Sequence, residues 1–194
     1  TYTYSGVWGD FDMDGDPDLA YMGGFQLLVT LNNGGMLGPP TIPLSGITTL
    51  TAGDLDNDGD LDIAAAMDTG PVSLQLLQNQ GNAAFSNTGM TTYLGGPPQR
   101  YSRLSCIDYD NDGDLDVMGV PDAAWGEQLR VSLFRNDRGF TFTELAIPNA
   151  EVFPHSWGNS GYDWGDYDND QDLDLVMVGE TRAGDPQSRL YRND

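Results

Sequence analysis

Apolar residues in this chain come in short runs, and none of them sustains the 3.6-residue rhythm of an amphipathic helix. The runs form a set of signals that recurs four times. A first run leads into a polar loop: Val7–Gly9, Leu50–Gly53, Leu104–Ile107 and Tyr162–Gly165. A second run leaves that loop: Leu19–Met22, Leu61–Met67, Val117–Val120 and Leu173–Val178. A third follows and closes on asparagine: Gln26–Asn32, Val72–Asn79, Leu129–Asn136 and Arg189–Asn193. A Gly-containing turn then opens a weaker fourth run, clearest in Gly139–Leu145. Short runs with β-branched and aromatic residues, bounded by Gly, Asn and Asp, predict β-strands. Four antiparallel strands per unit predict one blade of a β-propeller, so the expected fold class is all-β, a propeller of four blades.

The polar loops start at Asp10, Asp54, Asp108 and Asp166, so the repeat runs 44, 54 and then 58 residues. That period belongs to blades, solenoid units or arrays. The units fall at approximately 1–46, 47–98, 99–150 and 151–194, within a single domain or segment spanning all 194 residues. A chain of this length can bury a substantial core.

The loops carry the chemistry. Each reads D-x-D-x-D-G/Q-D-x-D, with aspartates at 10, 12, 14, 16 and 18; at 54, 56, 58, 60 and 62; at 108, 110, 112, 114 and 116; and at 166, 168, 170, 172 and 174. Two carboxylates ~4 Å apart repel by roughly 4 kcal/mol at an effective dielectric near 20. Four repetitions of that cost predict a bound cation, whereas a merely solvated acidic surface would need no fixed ligand spacing. Oxygen-only ligands on a tight loop select a hard cation, and the spacing suits Ca²⁺ better than Mg²⁺. About four ions are expected, one per repeat. Positions 1, 3, 5 and 9 would ligate through side chains: Asp10, Asp12, Asp14 and Asp18; Asp54, Asp56, Asp58 and Asp62; Asp108, Asp110, Asp112 and Asp116; Asp166, Asp168, Asp170 and Asp174. Position 7 (Asp16, Asp60, Asp114, Asp172) would ligate through its backbone carbonyl, with glycine at position 6 making the turn. An EF-hand needs a bidentate Glu at position 12 between two helices. Position 12 is Tyr21, Ala65, Gly119 or Met177 here, so these are strand-flanked loops. Gln171 stands where the other three loops have glycine. A side chain in the left-handed region costs roughly 1–2 kcal/mol, which predicts a weaker fourth site.

These loops also explain the charge. Acidic residues number 30 against 8 basic ones, all of them Arg, for a net charge of −22. With no basic stripe, nucleic acid is excluded as a partner, and no apolar stretch is long enough for membrane insertion. Cys106 is the single cysteine, so no disulfide forms within the chain, and it reads as a small packed hydrophobe. Metal in place of disulfides, and weak calcium modules being common outside cells, predict an extracellular or cell-surface protein, exported and processed.

The aspartate loops together with the trailing L-x-L-x-x-N-x-G pattern resemble FG-GAP/VCBS repeats, found in integrin α-subunit propellers and in many bacterial surface proteins and lectins. The resemblance covers nearly the whole chain. It implies that each calcium loop joins the first and second strands of a blade, with the ligand aspartates named above. Gln171 departs from the pattern, and four repeats are fewer than such propellers usually have. Three architectures are compatible with that count. One is a small closed ring, another a segment of a larger propeller, and the third an open unit completed by a neighbouring copy through strand complementation. The fourth unit stops after its third run.

Length variation is concentrated between the second and third runs, at 121–127 and 179–186, and between units, at 95–101 and 147–160. In an antiparallel blade those connections share one face, opposite the calcium loops. Variable loops on a rigid scaffold are where binding sits. Trp125, Arg100, Tyr101, His155, Trp157 and Arg182 are therefore the ligand-binding candidates, suited to stacking on sugar faces and gripping carboxylates. Packing within loops or between blades is the competing role for each. Trp8 and Trp164 hold equivalent places before a loop and read as core packing.

No catalytic motif surrounds His155, the single histidine, and no catalytic residue is assigned. The expected function is calcium-stabilised adhesion, recognition or structural assembly, including a filament subunit, with a protein or glycan ligand or further copies of the chain as partner. A lectin-like carbohydrate-binding propeller is the first alternative. A polysaccharide-active enzyme domain, using Asp122, Glu127 or Glu180 as acid and base, is the second.

Overall fold

A computed structural model describes residues 5–67, 74–91, 101–121, 130–151, 161–180 and 185–193. The described residues are all-β and form successive antiparallel sheets. Sheet 1 comprises Gly6–Gly9, Asp18–Gly23, Gln26–Thr30 and Thr41–Ser45. Sheet 2 comprises Ile47–Gly53, Asp62–Met67, Leu74–Asn79 and Phe85–Thr91. Sheet 3 comprises Tyr101–Ile107, Asp116–Pro121, Arg130–Asn136 and Phe142–Glu151. Sheet 4 has three strands among the described residues: Gly161–Gly165, Asp174–Glu180 and Pro186–Tyr191. In every sheet the strands are paired in chain order, which is the meander of a propeller blade. A two-residue hairpin, Asn32–Asn33 with Met36–Leu37, decorates the first.

The register repeats from blade to blade. Gly9 pairs with Asp18, Gly53 with Asp62, Ile107 with Asp116 and Gly165 with Asp174, so each aspartate loop closes the hairpin between first and second strands. Because side chains alternate across a strand, each sheet has two faces to cover. Neighbouring blades cover them. Ala20, Met22, Leu27 and Val29 of blade 1 pack with Leu50, Ile63, Ala65 and Leu77 of blade 2. Ala64, Ala66, Leu74 and Leu76 on the other face of blade 2 meet Leu104, Val117 and Phe134 of blade 3. Met118, Val120, Val131 and Leu133 then meet Leu175 and Met177 of blade 4. The three cores are junctions between blades, with none inside a single blade.

Two glycines are required by these junctions. A Cβ on Gly9 would lie 2.6 Å from Leu61 Cδ1, and one on Gly53 would lie 2.8 Å from Leu115 Cδ1. Each sits where the next blade's loop presses on the preceding strand.

The junctions also correct two expectations. Tyr101 is buried and packs edge-on against Phe134, with ring centroids 6.3 Å apart. Burial pushes its phenol well up, so it is a core residue of the junction between blades 2 and 3 and offers no surface to a ligand. Trp8, expected to pack in the core, is 61% exposed because the described chain places no blade in front of blade 1. Its counterpart Trp164 does pack, against the core between blades 3 and 4. Among the described residues the outer faces of blades 1 and 4 are exposed and do not cover each other, as they would in a small closed ring of four blades. The described arrangement is an open arc.

Candidate metal centres

Every aspartate loop is held by the same backbone hydrogen bonds. The position-1 carboxylate accepts from the N–H groups of positions 5 and 6, as in Asp58 and Gly59 donating to Asp54 at 3.1 and 3.0 Å. The equivalent pairs reach Asp10, Asp108 and Asp166. The N–H of position 7 donates to the position-5 carboxylate in all four loops. Position 9 is buried, and its two oxygens accept from two elements at once. Asp62, for example, takes the N–H of Leu55 at 2.9 Å and that of Asn79 at 2.8 Å. The same clamp ties Asp18, Asp116 and Asp174 to the strand-ending asparagines 32, 136 and 193. Position 9 therefore locks the loop to the third strand of its own blade.

The chain path turns through the left-handed region twice in each loop. At position 6, Gly15, Gly59 and Gly113 have φ of 94°, 97° and 90°, and Gln171 is forced to 81°. At position 4, Met13, Asn57, Asn111 and Asn169 have φ between 56° and 63°. Asparagine tolerates that conformation and methionine does so poorly. The first loop thus carries its own departure, Met13 at position 4.

Carboxylate oxygens converge within 4.8 Å in each loop: Asp10, Asp12 and Asp18; Asp54, Asp56 and Asp58; Asp108, Asp110 and Asp116; Asp166, Asp168 and Asp174. The position-3 carboxylate is the informative member. Asp56 Oδ1 and Asp168 Oδ1 are buried with no hydrogen-bond partner. A buried unpaired carboxylate oxygen costs free energy that a proton, a cation or an ordered water removes. Burial first, and neighbouring carboxylates after it, push Asp12, Asp56 and Asp110 above the usual carboxylate range. Asp168 is pushed up too, by burial foremost, although the Arg192 guanidinium pulls the other way. At position 9, burial raises Asp62 to about 7 and Asp116 to about 6, against the lowering pull of their backbone donors. The donor set, all oxygen and including two buried atoms without a hydrogen-bond partner, fits a hard cation.

The residue before the strand-ending asparagine differs between blades. It is Leu31 in blade 1, whereas in blade 2 Gln78 donates to Asp56 Oδ2 at 2.6 Å. In blade 3, Arg135 is engaged by Asp137 at 2.8 Å. In blade 4, Arg192 reaches Asp168 at 2.9 Å and Asp170 at 3.4 Å. The fourth loop therefore has a guanidinium already on its position-3 and position-5 carboxylates.

The loops are joined to one another as well. Asn79 Nδ2 donates to the carbonyl of Phe11, Asn136 Nδ2 to that of Leu55 and Asn193 Nδ2 to that of Tyr109, at 2.8, 2.8 and 2.7 Å. The acceptor is always position 2 of the preceding blade's loop. Asn57 donates to the Gly113 carbonyl and to Asp114, and Asn111 to the Gln171 carbonyl and to Asp172, so position 4 grips positions 6 and 7 of the following loop. The position-7 side chains of Asp114 and Asp172 thus serve junctions, whereas that of Asp16 accepts from Gly34 N–H in its own blade. The recurrent terminal asparagine and the apolar position 2 were visible in the sequence. Their role was not, because it spans 68 to 84 residues of chain.

Cys106 lies in the junction between blades 2 and 3, against Gly53, and burial raises its thiol to about 11. That agrees with a packing role. Of the ligand-binding candidates, Arg100, Trp125, His155, Trp157 and Arg182 lie outside the described residues, as do Asp122 and Glu127. No helix among the described residues is long and apolar enough to cross a membrane.

Comparison with known proteins agrees with this geometry. Among curated proteins, none matches the sequence. Among solved structures, the chain is similar to a lectin from Agrocybe aegerita, described for specific recognition of non-reducing terminal N-acetylglucosamine. The likeness has 18% identity and a TM-score of 0.58, and it covers 97% of this chain but 52% of the lectin. This chain thus spans about half the length of that relative, and the likeness concerns the fold. The family model for the FG-GAP-like repeat matches residues 10–65 and 54–118, a region that begins and ends in aspartate loops and exceeds half of the 194 residues. With its meandering blades and loop-to-loop clasps, the chain belongs to the FG-GAP-like repeat family.

Proposed function

We propose that this protein is a calcium-stapled recognition module that works outside the cell and has no catalytic role of its own. The observation that carries the proposal is the orphaned position-3 oxygen, buried in an all-oxygen carboxylate cluster that recurs once per blade. Asp residues at positions 1, 3, 5 and 9 would hold Ca²⁺, with the position-7 carbonyl completing the set. The ion would supply positive charge to a cluster whose members otherwise repel. The effect is mechanical, since each loop also anchors the junction to the next blade. Extracellular calcium suits the low-affinity, partly solvated loops.

Within this reading the fourth centre is the weakest. Gln171 occupies a left-handed position, and Arg192 competes for Asp168 and Asp170. Calorimetric titration with Ca²⁺ should resolve three tighter sites and one weaker site. Four equal sites would remove the argument about the fourth loop, and no calcium uptake at all would remove the proposal.

The ligand would bind at the end of the blades opposite the aspartate loops, where second-to-third strand connections and blade-to-blade linkers emerge. A glycan is the ligand class with most support, since a lectin of the same fold recognises terminal N-acetylglucosamine. Trp125 and Trp157 would stack on sugar rings, with Arg100, Arg182 and His155 as polar partners. A glycan array tests this directly. The signal should vanish in Trp125→Ala or Trp157→Ala while the calcium titration stays unchanged. An array without signal would leave a protein ligand as the reading.

A further inference from the structure

The two ends of the arc are unequal halves of the same junction, and each exposes the groups that an adjoining blade engages at the internal junctions. At the far end, Val178 occupies the position of Val120 in blade 3, yet it is 45% exposed where Val120 is 2%. Leu190 is exposed where its counterpart Leu133 is buried. Tyr167, at position 2 of its loop, is 53% exposed, while Phe11 at the same position of the first loop is fully buried beneath blade 2. A Cβ on Gly165 would meet nothing within 4 Å, although the equivalent Gly9 and Gly53 are pressed by the following loop. Asn169 holds the place from which Asn57 and Asn111 grip the next loop, and among the described residues it grips none.

The near end is the complement. Trp8 projects from the strand position whose counterparts, Ala52, Cys106 and Trp164, pack on the preceding blade. Asn32 Nδ2 reaches the carbonyl of Pro17 in its own loop at 3.1 Å, but lacks the position-2 carbonyl that Asn79, Asn136 and Asn193 each find across a junction. At the far end, the Tyr167 carbonyl is the one position-2 carbonyl with no asparagine upon it among the described residues.

We infer that a second copy of this chain docks head to tail, its blade 1 seated on the exposed face of blade 4 as though it were a fifth blade. In that contact Asn32 of the incoming copy donates to the Tyr167 carbonyl, Asn169 grips the copy's first aspartate loop, and Trp8 covers Gly165 and the strand beside it. The argument for a second copy as occupant is continuity. The three internal junctions specify what the far face receives, and this chain carries that receiving pattern on its own opposite face. Such a contact is heterologous, so repetition generates rings or fibres from one interface. Each copy carries −22, so the contact is held by apolar burial and side-chain amide hydrogen bonds against charge repulsion. Association should therefore strengthen with added salt, opposite to an interface made of ion pairs.

Sedimentation velocity on the whole chain in calcium-containing buffer tests the proposal. Concentration-dependent assemblies larger than the monomer are expected. Trp8→Asp and Val178→Asp should each abolish them while leaving circular dichroism and monomer stability in place, since both side chains are exposed in the single chain. Mixing the two variants should restore one species, a 1:1 dimer, because each retains the face the other lacks. Asn169→Ala is the milder companion and should weaken association by about fivefold, the loss of one hydrogen bond. A strictly monomeric wild-type chain would overturn the inference, leaving both faces to some other partner. So would assemblies that survive both aspartate substitutions, or variants that fail to pair on mixing.

Discussion

Blades 2 and 4 are built to the same pattern and live in different surroundings. Both have an aspartate loop, a buried position-9 carboxylate and a strand-ending asparagine clasp. In blade 2, Ile63 and Ala65 on one face and Ala64 and Ala66 on the other are fully buried, since a blade lies against each side. In blade 4, Leu175 and Met177 are buried while Val176 and Val178 face outward. The outward side chains are not more polar for being exposed. Solvent exposure here reports the absence of a neighbour, and blade stability is a property of pairs of blades.

The sharpest way to break that comparison is to remove the same loop position in both contexts. Phe11→Ala should destabilise by about 3–5 kcal/mol, because it empties a packed junction site. Tyr167→Ala should cost less than about 1 kcal/mol in the single chain, as a surface substitution does. Urea melts of the two variants provide the check, and equal losses would mean that the junctions are not where stability resides.

Calcium removal comes next in size. A site held at a hundred times its dissociation constant contributes about 2.7 kcal/mol. For a domain of this size that corresponds to a fall of about 5–10 °C in Tm per site on chelation. Asp56→Asn in the second loop should remove most of one site's share. Asp168→Asn in the fourth should remove little, as Arg192 already offsets the charge there. Differential scanning calorimetry with and without chelator distinguishes the two.

The pH dependence of the chelated protein refines this further. Asp62 and Asp116 titrate above their unfolded value, so the folded state binds more protons than the unfolded state from about pH 4 to about pH 7. Stability without calcium should accordingly be greatest at the acid side of that window and fall as pH rises through 6 and 7. With calcium present the trend should reverse, because protons compete with the ion for the same oxygens. Thermal melts at pH 5 and pH 8, with chelator and with calcium, test both signs. Asp62→Asn should flatten the chelated curve.

The smallest effect belongs to the defect in the fourth loop. Gln171→Gly should relieve roughly 1 kcal/mol of backbone strain and tighten the weak calcium site several-fold without touching the other three. Calorimetric titration reads it.

Much of this molecule was legible beforehand. The alternation of short apolar runs predicts the strands because a side-chain period of two can satisfy only a sheet. The aspartate spacing predicts the loop contacts because they are local: positions 1, 5, 6 and 7 bond one another within a few residues. Gln171 adopts the left-handed conformation expected of a glycine site. Trp8 and Tyr101 were misjudged for one shared reason. Each side chain's exposure is decided by an adjoining blade: Tyr101 lies in the core between blades 2 and 3, and no described blade covers Trp8.

The division between sequence and tertiary structure therefore follows the range of the interactions. By itself the sequence determined the strands, the number of repeats, the hairpin loops and the convergence of carboxylates within each loop, all of which act over a few bonds of backbone. Only the tertiary structure decided which face of each sheet is covered, what the terminal asparagines grip, which carboxylate oxygens are left without partners, and that the described blades lie in an open arc. Those outcomes depend on how consecutive blades stack, and stacking is set by side chains that meet from separate repeats.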